Sequence, residues 1–233
     1  MSELICPSPR IFVGIAATGN CKTHFSCCKD QLMAYFWGNL LSPECKQQEI
    51  TTERVASSGL CHNYHALVRM AQQWKATHLL TLEEDMAFEP DVLHILYRRH
   101  QLWVGANYPM KKQLDWEFTA ASLNSLGRVM TRPTSSGLEE CGYTGMGVTL
   151  FDMKLFDMIE PPWFVMDYVG NESYCTQDAY FAAKVHDADI SIYVDHDVSN
   201  RVSHIGDYQY TCQEASARID AQTIKEGEKA DGK

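Results

Sequence analysis

The segment HLLTLEEDMAFEPD, residues 78–91 of this 233-residue chain, runs from a mostly apolar stretch directly into three consecutive acids. Residues 77–82 form a short, mostly apolar run, which is typical of a buried strand. Three consecutive carboxylates follow directly: Glu83, Glu84 and Asp85. Adjacent acids repel one another, so the triplet is either exposed to water or neutralised by a cation. The segment therefore predicts a strand that ends in a charged site.

Strand and helix patterns alternate on both sides of this segment. Further apolar or β-rich runs predict strands at residues 11–17, 48–56, 102–108 and 190–194. Helical spacing, capping residues and prolines predict helices at residues 22–40, 60–74, 89–99, 151–158 and 176–187. The first half of the chain thus reads β-α-β-α-β-α-β, which predicts a mostly parallel sheet with helices on both faces.

Two regions depart from this alternation. Residues 110–150 contain shorter segments punctuated by turn residues, which predict a small antiparallel insert. After Thr211 the pattern is helical and then becomes the polar end EGEKADGK, which is predicted to fray. We therefore predict a single α/β domain over residues 1–233, with its core at about 10–206 and a C-terminal helix and frayed tail at 207–233.

Composition and length are those of an ordinary globular protein, with 45% hydrophobic and 21% charged residues. No apolar run reaches the roughly 18 residues that a bilayer requires. The first ten residues, MSELICPSPR, lack the apolar region of a signal peptide. These features predict a soluble, unprocessed cytoplasmic protein without a membrane span, located in the host cytoplasm if a phage encodes it.

The formal net charge of −10 disfavours nucleic acid as the main partner. Proteins that bind duplex DNA gain much of their affinity by neutralising phosphates with a basic face. The basic clusters of this chain are short, RRH at residues 98–100 and KK at residues 111–112. Local patches can outweigh net charge, so nucleic acid stays a secondary possibility.

The nine cysteines are odd in number and irregular in spacing, which indicates free thiols in a reducing compartment. One cluster, CKTHFSCC, would place Cys21, His24 and Cys28 on one helix face, as a metal site requires. No second cluster with the spacing of a zinc finger follows it. We therefore favour small buried side chains in the first helix over a structural zinc.

The acidic triplet lies where ligands collect in open α/β sheets, outside the carboxyl ends of the strands. In an extended segment, Glu83 and Asp85 point to one side while Glu84 points to the other. A pair of carboxylates held rigidly by a buried strand suits a hard divalent cation whose shell is completed by phosphate oxygens. The alternative is a solvated acidic loop.

An ordered set of segments resembles the GT-A fold glycosyltransferases, and in particular small stand-alone family-2-like enzymes of bacterial and phage type. The triplet resembles their D-x-D motif, and IFVGIAATGN resembles their first strand and nucleotide-contacting loop. Other segments continue the resemblance in the same order over residues 10–206: SSGLCHNYHALVRMAQQW, WVGANYPMKK, GYTGMGVTLFDMKLFDMIEPPWF, CTQDAYFAAKVHDADISIYVD and RVSHIG. The resemblance implies a GT-A-like, Rossmann-like sheet and the transfer of a sugar from a nucleotide-sugar donor.

The resemblance also implies roles for individual residues. Asp85 and His204 would bind Mn²⁺ or Mg²⁺, with Glu83 as a further contact to the metal or the ribose. Asp178 would be the catalytic base if the reaction inverts the sugar configuration. The other implied contacts to the donor are Ala16, Thr18, Asn63, Glu84, Lys111, Gly145 and Gly147.

Several of these assignments have structural alternatives. His196 competes with His204 as the late metal ligand, and Asp178 is also a favourable acid for a helix N-terminus. Lys111 and Lys112 would meet the diphosphate or the acceptor, or else form a solvated turn. The two glycines alternatively serve a turn or bulge, and the aromatic pair at residues 163–164 either stacks on a sugar or packs in the core.

Three departures from the family pattern limit the prediction. Glu83 stands where the first Asp of the acidic motif is usual, Gln177 precedes Asp178 in place of an acid, and no Q-x-x-R-W motif is present. The last absence argues against a polymerising membrane synthase. We expect a hexosyl- or pentosyltransferase that uses a UDP-sugar, with a glycan, a small molecule or a modified DNA base as the acceptor. A nucleotidyltransferase and a non-catalytic nucleotide- or metal-binding protein are the alternatives.

Overall fold

The computed structural model describes residues 8–19, 22–45, 47–111, 117–123, 127–169, 173–206 and 209–231. The strands in these residues are β1 Arg10–Ala17, β2 Glu49–Ala56, β3 His78–Glu83, β4 Met86–Phe88, β5 Trp103–Gly105, β6 Leu138–Cys141, β7 Val148–Asp152, β8 Asp167–Val169, β9 Ser173–Cys175, β10 Ile192–Asp195, β11 Val202–Ile205 and β12 Gln209–Thr211. The helices are α1 Thr23–Gly38, α2 Leu60–Gln73, α3 Val92–Tyr97, α4 Lys154–Met158, α5 Gln177–Asp187, α6 His196–Ser199 and α7 Cys212–Asp231.

Seven strands form the central sheet in the order β2-β1-β3-β7-β5-β10-β6. Strand β1 pairs in parallel with β2 and β3, and β10 pairs in parallel with β5. Strand β7 is antiparallel to both of its neighbours, β3 and β5, and β6 is antiparallel to β10. Five strands therefore share one direction, which confirms the predicted α/β class with a mostly parallel sheet.

Helices cover both faces of this sheet, because successive side chains of each central strand point to opposite faces. On one face, Ile11, Val13 and Ile15 of β1 pack in a cluster with residues of α1 and α3. On the other face, Phe12 and Ala16 pack in a second cluster with residues of α2, α4 and α5. The central strands of the sheet are therefore enclosed between two apolar layers.

The separate antiparallel sheet does not lie in residues 110–150, where the sequence pattern predicts an antiparallel insert. The small antiparallel sheet has the order β12-β11-β4 and draws on residues 86–88 and 202–211. Within residues 110–150, β6 and β7 join the central sheet, and residues 117–143 add isolated antiparallel bridges. All of β7 except its last residue is buried, because the strand lies between β3 and β5.

Several element boundaries also differ from the prediction. The predicted strand at residues 102–108 is only Trp103–Gly105, and the predicted helix at 151–158 is the end of β7 followed by α4. Helix α7 continues to Asp231, through most of the tail that was expected to fray. None of the helices in the described residues combines the length and apolar character that crossing a membrane requires.

Candidate active site

The carboxyl ends of the neighbouring parallel strands β1 and β3 meet at one edge of the central sheet. Ala16 of β1 is in register with Glu83 of β3, so the loop after β1 lies beside the acidic triplet. A pocket of about 110 Å³ opens at this edge. Its lining residues are Ala16, Thr18, Leu60, Glu83, Glu84 and Asp85. The sheet edge that the sequence predicted as a ligand site therefore contains a pocket lined by all three acids.

Glu84 is engaged by the loop that follows β1. Its Oε1 accepts hydrogen bonds from the backbone N–H groups of Thr18 and Gly19, each at 2.9 Å. Its Oε2 lies 3.3 Å from a guanidinium nitrogen of Arg54, which also donates to the carbonyl oxygen of Gly19. Only 12% of the Glu84 side chain is exposed. Glu84 thus fixes the loop that borders the pocket, and its charge is balanced by Arg54 and two backbone dipoles.

Glu83 is held from the opposite side by helix α2. The hydroxyl of Tyr64 donates a hydrogen bond of 2.6 Å to Glu83 Oε1. The backbone N–H of Glu83 donates to the carbonyl oxygen of Gly147 at 3.0 Å. Burial raises the pKa of Glu83, and the hydrogen bond from Tyr64 opposes that rise. The carboxyl group is therefore a fixed acceptor in a poorly solvated wall of the pocket.

Two side chains from distant parts of the chain meet at Asp85. His204 Nε2 lies 3.4 Å from Asp85 Oδ2, and the ammonium group of Lys111 contacts the same oxygen. Burial alone would raise the pKa of Asp85, but the contacts with His204 and Lys111 lower it to about 2. Asp85 is therefore ionised at neutral pH, and its charge is paired with the ammonium group of Lys111.

Pairing of β4 with β11 brings His204 to the acidic triplet. Met86 of β4 is in register with His204 of β11, and the N–H of Ile205 donates to the carbonyl oxygen of Asp85 at 2.7 Å. The imidazole Nδ1 lies 3.1 Å from the carbonyl oxygen of Pro109, which only accepts hydrogen bonds, so Nδ1 carries a proton. Nε2 lies on the side of the ring that faces Asp85, where a deprotonated Nε2 would serve as a metal ligand.

The Asp85–His204 pair fits a divalent metal ion as a partial ligand set. Ligands about 2.1 Å from one ion lie about 3 Å apart when they are adjacent, close to the separation of Asp85 Oδ2 and His204 Nε2. Among the described residues, no group of three or more His, Cys, Asp or Glu side chains is arranged to hold a metal ion. Mg²⁺ in phosphate-transfer sites often has one or two protein ligands, with substrate phosphates and water completing its shell. The pair suits that kind of site.

Asp178 lies at the start of α5. Its carboxylate accepts hydrogen bonds from the hydroxyl of Thr176 and the backbone N–H of Ala179. Burial raises its pKa above the ordinary value. Its charge makes a small contribution to the raised pKa of Glu83. A poorly solvated carboxylate at this position is a suitable acceptor for a substrate proton.

The two glycines of the YTGMGVT segment pack against Tyr108. A Cβ atom on Gly145 would lie 2.6 Å from the Tyr108 hydroxyl, and a Cβ on Gly147 would lie 2.5 Å from it. The N–H of Gly147 also donates to that hydroxyl at 2.8 Å. The ring of Tyr108 in turn meets the ring of His204 edge-on, with centroids 5.4 Å apart. Because Gly145 and Gly147 have no Cβ, the Tyr108 ring can pack directly against the backbone at both positions. The same ring contacts His204.

Other predicted residues lie away from the pocket. Asn63 is fully buried, and its amide group bonds to Ala17 and Ser57, so it positions two loops. His196 is buried and contacts Thr131 and Glu139. These contacts favour His204 over His196 as the histidine of the site.

The aromatic pair at residues 163–164 and Cys28 of the cysteine cluster pack in the protein interior. Trp163 and Phe164 are buried in the core beside α2 and α5. Cys28 is buried in α1 and carries a free thiol, whereas His24 is exposed. Cys21 and Lys112, which the sequence analysis also singled out, lie outside the described residues.

Sequence reasoning did not assign three of the side chains that shape the site. Tyr64 belongs to the apolar stripe of α2, so its pattern indicated only core packing. Tyr108 precedes a proline in the YP turn, and Arg54 lies on the edge strand β2. Their contacts with Glu83, Gly147 and Glu84 arise from tertiary packing. A polar group within an apolar stripe, as in Tyr64, was the one available signal.

No protein-family model matches the chain, and no curated protein matches it in sequence. Among solved structures, the fold is similar to that of A197 from STIV, with a TM-score of 0.55 and 13% identity over 85% of this chain and 86% of that chain. GalNAc-T7, solved with UDP, GalNAc and Mn²⁺, gives a TM-score of 0.46 and 11% identity over 88% of this chain and 45% of that chain. At 13% identity the first similarity shows a shared fold alone, and the second supports no conclusion about activity.

Proposed function

We propose that the protein is a metal-dependent glycosyltransferase, which moves a sugar from a nucleotide-sugar, with a UDP-sugar favoured, to an acceptor hydroxyl. The observation that carries this proposal is the meeting of Asp85, His204 and Lys111 at one carboxylate oxygen. That oxygen belongs to a residue that lines the pocket at the edge of the sheet. The ordered resemblance of the sequence segments supports the same reaction.

The donor would occupy the edge of the sheet between the loop after β1 and the acidic triplet. The apolar Ala16 and Leu60 and the polar Thr18 line one part of the pocket. Glu83, which Tyr64 holds in place, provides an acceptor for a hydroxyl group of the ligand. The ammonium group of Lys111 is within reach of a diphosphate placed beside Asp85. Asp85 and His204 would hold Mn²⁺ or Mg²⁺, which supplies neutralisation of the charge that develops on the leaving diphosphate.

In the transfer step, the acceptor oxygen forms a bond to the anomeric carbon of the sugar. The bond between that carbon and the diphosphate oxygen breaks, and its electron pair leaves with the nucleoside diphosphate. Asp178 takes the proton of the acceptor hydroxyl, for which its raised pKa is favourable. This role for Asp178 belongs to a direct displacement, so we expect inversion at the anomeric carbon.

One observation disfavours nucleotidyl transfer. The backbone N–H groups of Thr18 and Gly19 already bind the carboxylate of Glu84. The same N–H groups would be needed to cradle a triphosphate in a glycine-rich loop. The loop after β1 therefore suits contact with a nucleoside better than contact with a phosphate chain.

Incubation with a panel of UDP-, GDP- and CDP-sugars and Mn²⁺ tests the proposal. We expect slow release of nucleoside diphosphate from one donor, faster release with a suitable glycan, small-molecule or modified-DNA acceptor, and loss of release in Asp85→Ala or with chelator. Release of pyrophosphate from nucleoside triphosphates would instead indicate a nucleotidyltransferase. Nucleotide binding without turnover on any acceptor would indicate a binding protein.

Asp30→Ala is a matched control for Asp85→Ala, because Asp30 also forms an ion pair with a lysine, Lys29, but on helix α1. We expect Asp30→Ala to release nucleoside diphosphate at the rate of the unmodified protein. Equal losses in both variants would show that the Asp85→Ala effect does not come from the site.

A further inference from the structure

We propose that Lys111 couples donor binding to metal binding by moving between Asp85 and the diphosphate of the donor. This inference rests on the proposed function and goes beyond it, because it assigns a regulatory exchange to a single side chain. In the absence of donor, Lys111 neutralises the carboxylate that would hold the ion. When the diphosphate arrives, Lys111 binds it and leaves Asp85 to the metal.

The contact geometry places Lys111 in competition with the ion. Its ammonium group and His204 Nε2 contact the same atom, Oδ2 of Asp85. An ion bound between that oxygen and Nε2 would therefore lie against the ammonium group. A divalent ion and an ammonium group within a few ångströms repel one another strongly when they are partly shielded from water. Only 27% of the Asp85 side chain and 14% of the His204 side chain are exposed.

The residues just before Lys111 are held in place, whereas its charged end can change partners. The preceding residues pair with a neighbouring segment, through an antiparallel bridge from Pro109 to Phe118 and a hydrogen bond of 2.8 Å from Met110 N–H to the carbonyl oxygen of Glu117. The stem of Lys111 passes over Gly206, where an added Cβ would lie 3.4 Å from Lys111 Cδ. A lysine ammonium is a point charge on a four-carbon stem, so it can change partners without a change in the backbone.

Charge balance explains why the exchange couples the two ligands. Asp85 and Lys111 neutralise one another in the protein alone. A divalent ion added to this pair places two further positive charges beside Lys111, whereas a diphosphate added with the ion offsets them. Each ligand therefore makes the other bind more tightly. The coupling free energy must be the same whichever ligand binds first.

Titration of Mn²⁺, with and without UDP, measures the coupling without any turnover. Free Mn²⁺ can be followed by electron paramagnetic resonance, and the bound fraction can be checked by calorimetry. In Lys111→Gln we expect Mn²⁺ alone to bind about tenfold more tightly than in the unmodified protein, within the usual range of such couplings. The further gain in Mn²⁺ affinity on adding UDP should be smaller in this variant. Lys111→Arg, which keeps the charge, should preserve most of the coupling.

Lys154→Gln is the matched control. Lys154 also forms an ion pair with an aspartate, Asp152, which is in register with His78 at the other end of β3. This variant should bind Mn²⁺ and UDP as the unmodified protein does, and thermal unfolding should show that each variant is folded.

Two outcomes separate this inference from the proposed function. Normal Mn²⁺ and UDP binding, with Lys111→Gln indistinguishable from the unmodified protein, would overturn the coupling and leave the proposed function intact. Failure of the unmodified protein to bind Mn²⁺ or UDP would overturn both.

Discussion

His204 Nε2 lies 3.4 Å from Oδ2 of Asp85, although one residue follows β3 and the other belongs to β11. Pairing of β11 with β4 creates this contact, because β4 begins at the residue after Asp85. The acidic triplet is thus neither a solvated patch nor a uniform cluster. Glu83 has Tyr64 as its partner, Glu84 has the loop after β1, and only Asp85 faces His204 and Lys111.

Replacement of Asp178 by Asn should lower kcat by about 10²–10⁴-fold, because the variant cannot accept the acceptor proton. Binding of UDP and Mn²⁺ should stay close to normal, since the proposed ligands of both are elsewhere. Steady-state kinetics and calorimetry would measure the two effects separately. Asp187→Asn, at the exposed end of the same helix, is the control and should behave as the unmodified protein does. Equal activity in the two variants would contradict the role of Asp178.

Replacement of Glu83 by Gln should stabilise the protein at neutral pH. Burial raises the folded pKa of Glu83 above 4.5, the value taken for the unfolded chain, so ionisation disfavours the folded state as the pH rises above 4.5. Glutamine removes that charge and its oxygen can still accept the hydrogen bond from Tyr64. Urea unfolding should show a gain at pH 7 that shrinks towards pH 4.

The same Glu83→Gln variant should lose affinity for the donor if Glu83 contacts the ribose or the metal. A gain in stability together with a loss of donor binding is the expected pattern for a residue that serves function at the expense of the fold. A variant that is less stable than the unmodified protein at pH 7 would show that the Tyr64 contact outweighs the burial of the charge.

Acid should remove the stabilisation that Asp85 gains from its partners. Its folded pKa of about 2 lies below 3.8, the value taken for the unfolded chain. Its contribution is therefore complete above pH 4 and is lost as the pH falls through about 2, and it amounts to about 2 kcal/mol. Urea unfolding from pH 2 to pH 6 should show the difference between the protein and Asp85→Asn disappearing at the acid end. A difference that is constant across this range would contradict the ion-pair assignment.

Replacement of Gly147 by Ala should destabilise the fold by about 1–3 kcal/mol, as overpacking does. The new Cβ would lie 2.5 Å from the Tyr108 hydroxyl and 3.1 Å from Met86 Cγ. Gly38→Ala is the control, because a Cβ there meets no atom within 4 Å. Thermal and urea unfolding would compare the two. Similar midpoints for both variants would show that the site tolerates movement of Tyr108.

The local sequence pattern was sufficient to predict the order of the first strands and helices. The apolar runs that became β1 and β3, and the helical stripe of α2, were predicted because alternation and helical spacing depend only on nearby residues. The end of β3 at the acids was also predictable, since charged side chains do not continue a buried strand. The same reasoning missed β4, a buried three-residue strand whose pattern is too short to be distinctive.

The sequence by itself therefore determined the α/β class, the position of Glu83, Glu84 and Asp85 at a strand end, and the candidates Asp178 and His204. Only the tertiary structure decided that β7 enters the sheet between β3 and β5, and that Lys111 and His204 share one oxygen of Asp85. The physical reason is that such contacts join residues far apart in the chain. Strand pairing and the packing of side chains such as Tyr108 bring these residues together, and the local periodicity of the sequence does not predict such contacts.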